Sequence, residues 1–129
     1  GDIAEQVVHI AEYDLLGDAD EFISLMGRVS RRVETEGIPG MSRFSFYVDR
    51  DSRKITSVIT YCCAESWLQH RQMKDRWGPE RADLDALMRR TQLRLLGPLS
   101  PKVRSYLANH GLPFEQTAEF ATGFVRSAR

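Results

Sequence analysis

The stretch Arg53 to Met73, RKITSVITYCCAESWLQHRQM, decides how the rest of the chain is read. From Ile55 to Cys63 β-branched and aromatic residues dominate, the composition of a strand. Ile55, Ser57, Ile59, Tyr61 and Cys63 fall on one parity, and Thr56, Val58, Thr60 and Cys62 on the other. Both parities carry apolar side chains, so this strand is expected to be covered on both faces. The chain then passes straight into a helix, for which Ser66 and Gln69 fit a capping box. Trp67 and His70 stand three residues apart and share a face of that helix.

Upstream, Met41 to Val48 alternates, and the polar turn Asp49-Arg50-Asp51-Ser52 joins it to the next strand as a hairpin. Before that lies the most regular helix of the chain. Asp18 and Glu21 form a capping box, and Phe22, Ile23, Met26, Val29 and Val33 follow at helical spacing until Gly37 and Pro39. The segment Val7 to Leu16 is a first strand, again apolar on both parities, with His9 in its middle. Downstream, Trp77-Gly78-Pro79 interrupts the second helix. A helix starting near Pro79, with Leu84, Leu87, Met88 and Thr91 as its apolar stripe, precedes a fourth strand from Gln92 to Leu96.

The order strand, helix, strand, strand, helix, strand predicts a ferredoxin-like α+β domain, a split βαβ arrangement with its helices on one face of an antiparallel sheet. The bare face needs a cover, and a second copy of the same sheet is the economical one, which predicts a homodimer through the sheet faces. Residues 1–99 form the expected domain. Residues 100–129 add a helix opened by Ser100-Pro101 and an extended arm packed on the same domain.

Composition bounds the function. The chain has 129 residues, 42% of them hydrophobic and 28% charged, which suits one globular domain and argues against disorder. Lys plus Arg and Asp plus Glu are equal at 18 each, so no global field favours nucleic acid. No apolar run has the length of a membrane span, the amino terminus shows no signal pattern, and Gly1 in place of a methionine fits a processed or tag-cleaved start. Cys62 and Cys63 are adjacent within a strand and poorly placed to bond to each other. No metal-ligand spacing occurs, and the cytoplasm is the expected compartment.

The element order and the helix entry ESWLQH, with an aromatic residue and a histidine three positions on, resemble the antibiotic-biosynthesis-monooxygenase-like members of the dimeric α/β-barrel superfamily, over about residues 6 to 98. The resemblance implies dimers whose sheets face each other, with a pocket between each sheet and its helices. It also implies cofactor-free oxidation of phenols or quinols, or else haem degradation with His70 as axial ligand. Haem-degrading relatives carry an asparagine on an early strand, whereas the only asparagine here is Asn109, which counts against haem.

A cofactor-free oxygenase needs a base, donors for an oxyanion and apolar walls. His70 is the expected base, because histidine ordinarily titrates near pH 6.5. Trp67 would form an aromatic wall, His9 a second polar group, Tyr47 and Tyr61 oxyanion donors, and Arg94 the contact to an acidic substrate group. Arg71, Lys74 and Arg76 read as a solvated helix face, and His110 as part of a helix terminus. The expected function is thus a cofactor-independent monooxygenase-like enzyme for a small aromatic or quinol-type compound, with no cofactor. The rival reading is a non-catalytic ligand-binding or assembly module of the same fold.

Overall fold

The computed structural model describes residues 2–126. After a short 3-10 turn, Ile3–Glu5, the elements run β1 (Val7–Leu15), α1 (Ala19–Glu36), β2 (Met41–Asp49), β3 (Lys54–Tyr61), α2 (Ala64–Lys74), α3 (Gly78–Leu87), β4 (Met88–Leu96), α4 (Pro101–Asn109) and β5 (Glu115–Thr117). The sheet order is β2-β3-β1-β4-β5, antiparallel throughout except that β5 joins β4 in parallel. This is the ferredoxin-like α+β fold. The sequence reading of the tail as an extended arm misses β5, which is only three residues long.

Local chemistry accounts for most boundaries. The Asp18 carboxylate accepts from the Glu21 amide at 2.9 Å and caps α1, and Gly37 ends it with φ at +73°. Ser100 caps α4 by accepting from the Val103 amide at 3.3 Å. The second capping box is not formed. Cys63 is the N-cap of α2 and makes no side-chain cap bond, while Ser66 sits inside the helix and its hydroxyl donates to the Pro39 carbonyl at 2.5 Å. Pro39 reaches that hydroxyl first because Gly40 lets the α1–β2 loop lie directly against the end of β3. A Cβ on Gly40 would collide with Cys62 Sγ.

Val7, His9, Ala11 and Leu15 of β1 are buried on the helix-covered face, as are Ile55, Ser57, Ile59 and Tyr61 of β3. The opposite parity, including Val8, Ile10, Thr56, Val58 and Thr60, is half-buried on the face without helices. Two apolar groups lie under the helices. One gathers α1, α3 and Trp77 over Leu15 and Ile55; the other gathers Trp67 and Leu68 with Val103 and Leu107 of α4 over Val7, Ile59, Leu93 and Leu95.

One irregularity re-aims a side chain. Glu12 pairs with Gln92 and Tyr13 with Arg90, so Thr91 is an extra residue and β4 carries a bulge. Leu93 and Leu95 face the helices on odd numbers, and past the bulge Arg90 and Met88 do so on even ones. Thr91 belongs to this bulge rather than to a helix, because β4 begins at Met88, and its hydroxyl donates to the Glu12 carbonyl at 3.2 Å.

Candidate active site

Between the two apolar groups, α2 places a row of polar side chains against β1 and β3. Trp67, His70, Arg71 and Lys74 recur at helical spacing, so they occupy one stripe. Arg71 retains only 6% of its accessible surface, and His9 and His70 retain none. The reading of Arg71 and Lys74 as a solvated face is therefore overturned for Arg71. It is half overturned for Lys74, which is partly buried; Arg76 is exposed as expected.

His9 receives two donors. Trp67 Nε1 donates to His9 Nδ1 at 3.1 Å, and Arg71 Nη2 stands 3.1 Å from the same nitrogen and 3.0 Å from Nε2. Indole and guanidinium are donors only, so Nδ1 accepts both and the imidazole proton sits on Nε2. Burial, and next the positive charge of Arg71, hold the His9 pKa well below its ordinary value. The guanidinium of Arg71 thus bonds to a neutral ring and gains no counter-charge from it.

His70 makes the second pair. The Tyr61 hydroxyl lies 2.5 Å from His70 Nδ1. Burial raises the Tyr61 pKa, so the phenol keeps its proton and donates it. His70 is then neutral with its proton on Nε2, which is buried and has no partner among the described residues. Burial, followed by Arg71 and Lys74, lowers its pKa to about 2. An imidazole so weakly basic is a poor acceptor for a phenol proton, which overturns the argument that chose His70 for its near-neutral pKa.

A partly enclosed cavity of about 150 Å³ lies beside this cluster, between the sheet and α1, α2 and α3. Met26, Phe46, Leu84 and Met88 give it apolar walls. Arg71, Arg81 and Arg90 bring three guanidinium cations and Lys74 an amine, against Asp85 and the phenol of Tyr13. Arg81 is held by Asp75 at 3.1 Å. Among the described residues, no carboxylate lies within salt-bridge distance of Arg71, Lys74 or Arg90. Burial and the neighbouring guanidinium of Arg71 push the Lys74 pKa well below its ordinary value. Tyr106 of α4 packs on the other side of Trp67: its ring meets Trp67 edge-on at 5.7 Å and its hydroxyl donates to Asp75 at 2.9 Å.

His9, Tyr61, Trp67 and His70 are brought together under α2, yet none of the four lines the cavity. Tyr47 and Arg94 lie on the other face of the sheet. Tyr47 is 53% exposed and accepts from Arg43, and Arg94 pairs with Glu115 at 3.3 Å in the open. The residues that do line it and that sequence reasoning missed are Tyr13, Arg71, Lys74, Arg81 and Arg90. The signal for Arg71 and Lys74 was present, since both continue the spacing of Trp67. For Arg90 no local signal exists, because the bulge reverses its parity. A haem does not fit a cavity of this size, and His70 does not reach it. Among the described residues, no group of three His, Cys, Asp or Glu could hold a metal ion, and no helix is long and apolar enough to cross a membrane.

No family model matches the chain, and no curated protein matches it. Solved structures do. MupZ from Pseudomonas fluorescens superposes with a TM-score of 0.69 at 16% identity, over 98% of this chain and 93% of that one. SnoaB from Streptomyces nogalater, a cofactor-independent oxygenase, gives 0.58 at 20% identity over 71% and 91%. A putative antibiotic biosynthesis monooxygenase from Nitrosomonas europaea gives 0.56 at 16% identity over 78% and 97%. At these identities the likeness concerns architecture, and it agrees with the strand order and the one-sided helices: the chain shares its ferredoxin-like α+β fold with these three proteins.

Proposed function

We propose that the protein is a cofactor-independent monooxygenase acting on a small phenolic or quinol-type compound. The observation that carries this reading is the charge of the cavity: three guanidinium cations and the amine of Lys74, against one carboxylate, around a space with apolar walls. A phenol ordinarily ionises near pH 10, and nearby cations lower such values by roughly 1–3 units. A ring bound here is more acidic than in water, and its anion is the electron-rich species that dioxygen can oxidise. The Lys74 amine, its pKa lowered by burial, takes the phenol proton and then stands as an ammonium beside the oxyanion, while the guanidinium groups keep the cavity positive. With hydroquinone the balance is hydroquinone plus dioxygen giving hydroxybenzoquinone plus water. One oxygen atom enters the ring, and both electron pairs come from the substrate. SnoaB, a cofactor-independent oxygenase of the same fold, supports the assignment by analogy only.

The test is oxygen uptake with a panel of small quinols. Protein-dependent uptake is expected, reduced roughly a hundred- to ten-thousand-fold in Lys74→Met. Binding of these compounds with no uptake would replace the enzyme by a ligand-binding module. We further infer that two copies pair through the sheet faces without helices. The half-exposed Val8, Ile10 and Val58 on that face support this.

A further inference from the structure

We propose that the ligand of this cavity is an aromatic carboxylate about one ring in size, its carboxylate seated between Arg71 and Arg90. The proposal rests on the same cavity as the monooxygenase reading and names the class of compound that fills it. Its first support is an unpaired buried cation. Arg71 is nearly inaccessible, its Nη2 is spent on neutral His9, and its Nε is buried with no partner among the described residues. Burying an uncompensated charge costs several kcal/mol, and an orphaned donor adds to that cost. A protein keeps such a group where a ligand supplies the missing anion.

The second support is the bulge at Thr91. Without it Arg90 would point to the helix-free face, as Arg94 does. With it, Arg90 lines the same cavity as Arg71, opposite Tyr13, again with no acidic partner among the described residues. The remaining charges do not cancel these two, since Arg81 is already held by Asp75 and only Asp85 stands against the set. With Lys74 as an uncharged amine, Arg71, Arg81 and Arg90 against Asp75 and Asp85 leave one positive charge in excess, which one carboxylate matches; proton transfer from a phenol on the same ring to Lys74 leaves that balance unchanged.

Size and shape favour a carboxylate. A cavity of about 150 Å³ matches the volume known to hold one benzene ring. Guanidinium groups pair with the two oxygens of a planar carboxylate in fork geometry. Met26, Phe46, Leu84 and Met88 give the rest of the ligand apolar walls that suit a ring.

The experiment is calorimetric titration of the full chain with 4-hydroxybenzoate, 4-hydroxybenzamide and phenyl phosphate. The acid is expected to bind at least about tenfold more tightly than its uncharged amide, the ratio that one charge-assisted hydrogen bond supplies. Arg90→Gln should abolish the difference, raise the melting temperature of the ligand-free protein and so demonstrate that it folds. Arg90→Lys should keep part of the preference. Equal affinity for acid and amide, an unchanged preference in Arg90→Gln, or tighter binding of phenyl phosphate than of the acid would each overturn the proposal. Oxygen uptake is read separately. A carboxylate that binds without turnover removes the monooxygenase and leaves this inference standing. Turnover of neutral quinols with no preference for the acid does the reverse.

Discussion

His9 and His70 are both wholly buried and neutral, each accepting a hydrogen bond on Nδ1. Their folded pKa values lie below the ordinary value of about 6.5, so between the two the unfolded chain binds more protons. Stability is therefore full above about pH 6.5 and falls as the pH drops below it, by up to about 1.4 kcal/mol per unit for each histidine. Urea denaturation at stepped pH between neutrality and mild acid reads this slope directly, and a flat profile would mean that the imidazoles are hydrated or already charged. Tyr61→Phe should cost about 1–3 kcal/mol by leaving His70 Nδ1 buried and unpaired. A loss near zero in the same denaturation assay would place water, not the phenol, on that nitrogen. At this scale the sequence was half legible. The residue types of a polar site were visible in WLQH, but their protonation was not, because it depends on burial and on Arg71, which approaches from the next position of the stripe.

α2 shows why an element can be recognised while its face is misread. Its buried side includes Ser66, His70 and Arg71 beside Trp67, Leu68 and Met73, so polarity does not mark the inward stripe. The same helix begins without a side-chain cap, held instead by Ser66 against the α1–β2 loop at Pro39. That docking depends on Gly40, whose φ of +84° and contact with Cys62 leave no room for a side chain. Gly40→Ala should destabilise by at least about 2 kcal/mol, combining backbone strain with the clash. Gly37→Ala is the matched control, since its φ is also positive but a Cβ there meets nothing within 4 Å. Equal melting temperatures for the two variants would show that the loop moves aside at no cost. β4 carries the other hidden feature. A one-residue bulge leaves no mark in the alternation of Leu93 and Leu95, yet it decides that Arg90 enters the cavity while Arg94 remains outside.

The order of elements was legible because apolar periodicity, the Asp18 cap and the glycine and proline stops all agree with one topology. The arm after α4 was not, since β5 is defined by its partner β4 rather than by any pattern of its own. What the whole molecule leaves open is the second face of its sheet. Ile10 and Val58 are opposite each other near the centre of that face, half-exposed, with Val8 and Thr60 beside them. Charged or polar residues ring them, among them Arg43, Tyr47, Glu12 and Arg94, the layout of an apolar patch within a polar rim. In the proposed dimer a two-fold axis brings this patch against its own copy, so one substitution acts twice. Val58→Lys would then bury two like charges at the centre of the contact, while in a lone chain the same side chain reaches water. Sedimentation should show a two-chain species for the native protein at micromolar concentration and a single chain for Val58→Lys, with circular dichroism unchanged. A native protein that sediments as one chain would leave the patch without the partner assigned to it, and a variant that stays paired would move the interface to another face.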